Sequence, residues 1–103
     1  MVFLGYPLHP PGRAERLRAA HLPDVNAPML FVQGSRDAFG TPDELRPILT
    51  RLQAPAALHV IEGGDHSFKV PRSSRVAQGD AHRAIQDHVA AWLREQVAVT
   101  TAQ

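Results

Sequence analysis

Two titratable residues stand where the pattern of the chain would put chemistry. Asp37 ends Gln33-Gly34-Ser35-Arg36-Asp37, and His66 lies in Gly63-Gly64-Asp65-His66-Ser67-Phe68. Each comes just after a short apolar run that reads as a strand, Met29 to Val32 and Leu58 to Glu62. In open parallel α/β sheets, ligands and chemistry gather outside the carboxyl ends of the strands. Adjacent parallel strands would therefore bring both residues to one edge. A carboxylate there accepts the proton of one imidazole nitrogen, fixes the tautomer and stabilises the imidazolium. The other nitrogen is then a general base near neutral pH. Gly63 and Gly64 suit a tight turn in which the backbone takes φ > 0 or approaches a neighbour closely. Taken singly, Asp37 reads as a turn cap and His66 as a surface loop residue; their paired placement favours an acid–base pair.

The elements that must position them follow from periodicity. Val2 to Tyr6 reads as a strand at the very start, which needs a neighbour on its other side or presents an unpaired edge. Pro7 to Gly12 is a stiff, Pro-rich loop. Arg13 to His21 is a weak helical stretch with Leu17 and Ala20 facing inward. Met29 to Val32 is the uninterrupted apolar run of a strand covered on both faces. Thr41-Pro42-Asp43-Glu44 is a capping box with Pro at the first helical position. It opens a helix to about Leu52, striped by Leu45, Ile48, Leu49 and Leu52 and strained by Pro47. After the third strand, Lys69 to Gly79 is a basic, polar loop. Asp80 caps a last helix to about Gln96, with Ala81, Ala84, Ile85, Val89, Trp92 and Leu93 on its apolar face, and Val97 to Gln103 frays. Strands alternating with amphipathic helices predict an α/β domain, one over residues 1–103, with a mainly parallel sheet and right-handed connections.

Composition narrows the function classes. With 44% hydrophobic and 20% charged residues, the chain suits a globular domain. A formal net charge of +1 gives no reason to expect nucleic acid or an anionic membrane as partner. No apolar run approaches a membrane span, and Met1 to Pro7 lacks the features of a signal peptide, so a cytoplasmic location is expected. The absence of Cys excludes disulfides, thiolate metal sites and a thiol nucleophile.

The other polar residues have quieter readings. His9 is placed in a rigid surface loop, near enough to the active edge to touch substrate. His59 alternates with apolar neighbours and reads as structural. Asp65 beside His66 lacks a third metal ligand. His82 and His88, on the last helix, read as solvated, Ser35 and Ser67 as turn residues, and Lys69, Arg72 and Arg75 as a solvated loop. Trp92 is core.

Phe3 to Gly12, Pro28 to Asp37 and Gly63 to Phe68 together resemble the C-terminal half of an α/β-hydrolase. The branch they look closest to is the dienelactone-hydrolase-like group, with the testis-expressed and histone-acetyltransferase-complex-subunit proteins. The resemblance implies that the three strands are the last three of the family sheet. It implies hydrolysis of an ester or related acyl bond by a Ser-His-Asp triad, with Asp37 the acid, His66 the base, and no cofactor or metal. The family nucleophile sits on a G-x-S-x-G elbow before the acid. Here the only Ser before Asp37 is Ser35, in the acid's own turn. The expectation is therefore a truncated chain, inactive alone, that would act on a small ester-like substrate once completed. The alternative is a degenerate hydrolase serving as an interaction module, which self-associates or pairs with a partner chain through its first strand. A flavodoxin-like binding domain is the weaker third reading, since Gly12 alone makes no phosphate loop.

Overall fold

The computed structural model describes residues 1–13, 18–72 and 77–102, with side chains to Val97. Three strands, β1 (Val2–Leu4), β2 (Met29–Gly34) and β3 (Ala56–Ile61), form a parallel sheet in the order β1-β2-β3. Val2 pairs with Leu30 and Phe3 with Phe31; Phe31 pairs in turn with Leu58, and Val32 with His59. Helix α1 (Pro42–Leu49) connects β2 to β3, and helix α2 (Gln78–Ala102) follows β3.

Successive residues of a strand face opposite sides of the sheet, and β2 sorts its residues accordingly. Met29 and Phe31 join Tyr6, Leu8, Leu22, Leu45 and Leu49 on the α1 side. Leu30 and Val32 join Ile61, Ala81, Ile85 and Trp92 on the α2 side. Every residue of β2 is buried, as the central strand of a parallel sheet should be. Phe3 stacks on Phe31 at 4.7 Å, and Tyr6 meets both rings edge-on. Phe31, fully buried, stabilises the fold by roughly 1.5–3 kcal/mol.

Several boundaries differ from the sequence reading. β1 stops at Leu4 because Gly5 turns to φ 72°. The two other strands each begin or end beyond their apolar runs, β2 running on through Gln33 and Gly34 and β3 starting at Ala56 and stopping at Ile61. The capping box is present in both directions: Thr41 accepts from the Glu44 N–H, and the Glu44 carboxylate accepts from the Thr41 N–H. Pro47 removes one helical hydrogen bond, and α1 closes two residues later rather than reaching Leu52. α2 begins two residues before Asp80, which lies inside the helix facing Arg83, and it continues to Ala102 instead of fraying at Val97. Ala84 and Leu93 are exposed, so its buried stripe is narrower than expected. The expected helix at 13–21 falls partly on residues 14–17, Leu17 among them, which lie outside the described residues. Ala20 is exposed, and it is Ala19 that packs against the core. A 3-10 turn, Leu22–Asp24, leads towards β2. Ser73, Ser74 and Arg75 of the basic loop also lie outside the described residues.

No helix among the described residues is long and apolar enough to cross a membrane.

Candidate active site

β2 and β3 are adjacent and parallel, so the turns leaving them meet at one edge of the sheet. His66 turns its Nδ1 towards Asp37, donating to Oδ2 at 2.9 Å with Oδ1 at 3.1 Å. Asp37 is 1% exposed. A buried carboxylate without partners would be costly, and this one has three donors. The Phe39 N–H reaches Oδ1 at 2.8 Å, and Gln33 Nε2 lies 3.3 Å from Oδ2 beside the imidazole. With its proton held on Nδ1, His66 leaves Nε2 free to accept one, the arrangement that a general base requires. The imidazole side chain is 37% exposed, so the ring remains within reach of a reactant. The Phe39 ring lies against it at 4.3 Å.

His66 is fixed through its backbone. Gly34, at the end of β2, packs so closely on the 63–66 turn that a Cβ there would sit 2.2 Å from the Gly64 carbonyl oxygen. The Arg36 N–H donates to that same oxygen, and the Ser35 hydroxyl accepts from the Gly63 N–H. From the other side comes Gly5, at φ 72°, where a Cβ would lie 2.9 Å from the His66 carbonyl oxygen. Asp65 is engaged by its own turn: its carboxylate accepts the Ser67 and Lys69 N–H groups at 2.9 Å. The bond from Lys69, then that from Ser67, hold its pKa below the usual carboxylate range. No group of three or more His, Asp or Glu among the described residues is placed to hold a metal ion.

His9 is corrected. It is buried, not a surface loop residue, and its Nε2 lies 2.7 Å from Glu44 while Nδ1 lies 2.8 Å from the Pro10 carbonyl. Both ring nitrogens face oxygen acceptors, so His9 clamps the Pro-rich loop to the start of α1. The capping bond from Thr41, and then the His9 contact, hold the Glu44 carboxyl below the usual carboxylate range. His88 is corrected as well. Its ring stacks on that of His59 at 3.9 Å, between α2 and β3. Ser35 and Ser67 are turn residues.

A sequence profile for an alpha/beta hydrolase domain matches residues 1–94. This chain belongs to the α/β-hydrolase family. No solved structure matches it. Within this α/β-hydrolase chain, the residues that sequence reasoning missed are Gln33, Phe39, Gly5 and the His9–Glu44 pair. Only Gln33 carried a signal, as the single polar side chain in an otherwise apolar buried strand.

Proposed function

We propose that this chain supplies the acid and base of an ester-hydrolysing Ser-His-Asp triad, with Asp37 orienting His66 and His66 Nε2 activating a nucleophile from residues outside these. The reading rests on one observation, the 2.9 Å contact of His66 Nδ1 with a carboxylate buried at the end of the neighbouring strand. The motif pattern favours the dienelactone-hydrolase-like branch and a small ester or related acyl substrate. His66 Nε2 takes the hydroxyl proton as the nucleophile attacks the acyl carbon. It then returns that proton to the leaving alkoxide, and water repeats the cycle on the acyl-enzyme.

The test is made on the native gene product, purified from its source cells through a tag that leaves residues 1–97 intact. Turnover of p-nitrophenyl esters is measured for the wild type, His66→Ala and Asp37→Asn. Each substitution is expected to lower kcat by roughly 10³–10⁴-fold. Full turnover in either variant overturns the assignment. A wild-type product that hydrolyses no ester favours the interaction module instead. The specific feature behind that second reading is β1, a three-residue strand at the sheet edge with Leu4 57% exposed.

A further inference from the structure

Gln33 lies on the α1 side of β2, 0% exposed, four residues before Asp37. A primary amide brings two donor hydrogens and one acceptor oxygen into the core, and each needs a partner. Its Oε1 accepts from the Tyr6 N–H at 2.9 Å. Its Nε2 faces three acceptors: the Gly40 carbonyl at 2.7 Å, the Tyr6 carbonyl at 3.0 Å and Asp37 Oδ2 at 3.3 Å. The orientation is unique, because a flipped amide would point its oxygen at two carbonyls and a carboxylate. With two hydrogens for three acceptors, the longest contact, to Asp37, is a shared one. The stronger hold on the acid is therefore indirect. Gln33 fixes Gly40, whose N–H closes the 37–40 turn on the Asp37 carbonyl, and that turn aims the Phe39 N–H at Oδ1. The same amide pairs with both backbone polar groups of Tyr6, which follows β1.

We propose that Gln33 is a positioning residue, whose amide ties the 37–40 turn and the post-β1 loop together and so sets the carboxylate plane that Asp37 presents to His66. The proposal rests on the acid–base reading above and deepens it. Gln33→Met keeps the shape but leaves Tyr6 and Gly40 backbone groups unpaired. Gln33→Glu adds a second carboxylate beside Asp37 and turns acceptors towards acceptors.

The experiment reads the ring itself, without any hydrolysis assay. Imidazole nitrogen shifts of His66 are followed by NMR against pH in the labelled 103-residue chain, for wild type, Gln33→Met and Gln33→Glu. The wild type should hold the Nδ1–H tautomer. Loss of the amide should lower the ratio of Nδ1–H to Nε2–H by about tenfold, the scale of losing hydrogen bonds to a charged acceptor. A folded Gln33→Met chain with the wild-type tautomer ratio overturns the proposal, since a purely structural residue would lower Tm and leave the ring unchanged. Should both variants unfold, the wild type still decides: the Gln33 side-chain amide protons should shift through the same midpoint as His66. An amide that stays flat through that midpoint overturns the proposal. A native ring in the Nε2–H form would instead overturn the acid–base reading, and this proposal with it.

Discussion

Adding one methyl group at Gly34 should separate β2 from the turn that carries His66. An alanine in a strand ordinarily gains about 0.5–1 kcal/mol over glycine by restricting the unfolded chain, and the backbone at Gly34 does not need φ > 0, so nothing local forbids it. The contact decides the sign. A Cβ would meet three backbone atoms, the Gly64 carbonyl oxygen at 2.2 Å and the Asp65 carbonyl oxygen and Gly64 carbon at 2.6 Å. Carbon at Cβ essentially never comes within 3.0 Å of such atoms, so strand and turn must part by most of an ångström. No side chain can rotate away to absorb this. The Arg36-to-Gly64 bond at 2.9 Å lies directly across the gap. Overpacking of this kind costs typically 1–3 kcal/mol, and loss of the bridging bond adds about 1 kcal/mol. Set against the glycine-to-alanine gain, a net destabilisation of about 2 kcal/mol lowers Tm by roughly 8–16 °C for a domain of this size. The assay is thermal and urea unfolding of Gly34→Ala beside Gly79→Ala, where a Cβ meets nothing within 4 Å. Gly79→Ala should be neutral or slightly stabilising. A Gly34→Ala chain as stable as wild type, with His66 still held in the Nδ1–H form, would refute the close-approach argument.

Thr41→Ala should cost about 1 kcal/mol by removing one half of the capping box that starts α1; an unchanged urea midpoint would show that the box adds nothing. The His59–His88 stack predicts a pH dependence. Burial, then the neighbouring His88, hold His59 below the ordinary histidine range, so the unfolded chain takes up that proton first. The stability it contributes is full above about pH 6.5 and is lost as pH falls through the lower, folded value. His59→Leu should flatten the decline in stability between about pH 7.5 and pH 5, and equal slopes in the two chains would remove the stack from the explanation.

The main lines of fold and site were legible because they rest on strong local signals. The apolar run of β2 follows from burial on both faces, the capping box at Thr41 from the unpaired N–H groups of a helix start, and the glycine pair before His66 from the backbone freedom a tight turn demands. Strand adjacency then joins Asp37 to His66 without further information. The missed features are those fixed by tertiary contact. His9 sits between prolines and reads as a surface residue, yet its burial is decided by Glu44, on the other side of the strand β2 in sequence. His88 reads as solvated from spacing on its own helix, but the ring that stacks on it comes from β3. Gly5 and Gly34 look alike in sequence, and nothing local shows that both press on the same turn. Pro47 was legible as a disturbance but not in its outcome, because the helix was already near its end.

These missed contacts explain why the Asp37–His66 geometry is set within this stretch of chain. Asp37 is held by the Phe39 N–H and the Gln33 amide, both from its own turn and strand end. The turn that carries His66 is held from two sides, by Gly34 of β2 against Gly64 and Asp65 and by Gly5, just after β1, against the His66 backbone. All three strand ends therefore converge on the turn that carries His66. The two oxygens of Asp37 take Nδ1, and Phe39 lies against the ring. The exposed part of the side chain is what remains for a reacting partner. On the proposed reading, a nucleophile at His66 would meet a ring already oriented, because the Asp37–His66 bond needs no substrate to form. Such preorganisation is what makes an electrostatic partner effective at the moment of proton transfer, since no reorientation has to accompany the developing charge.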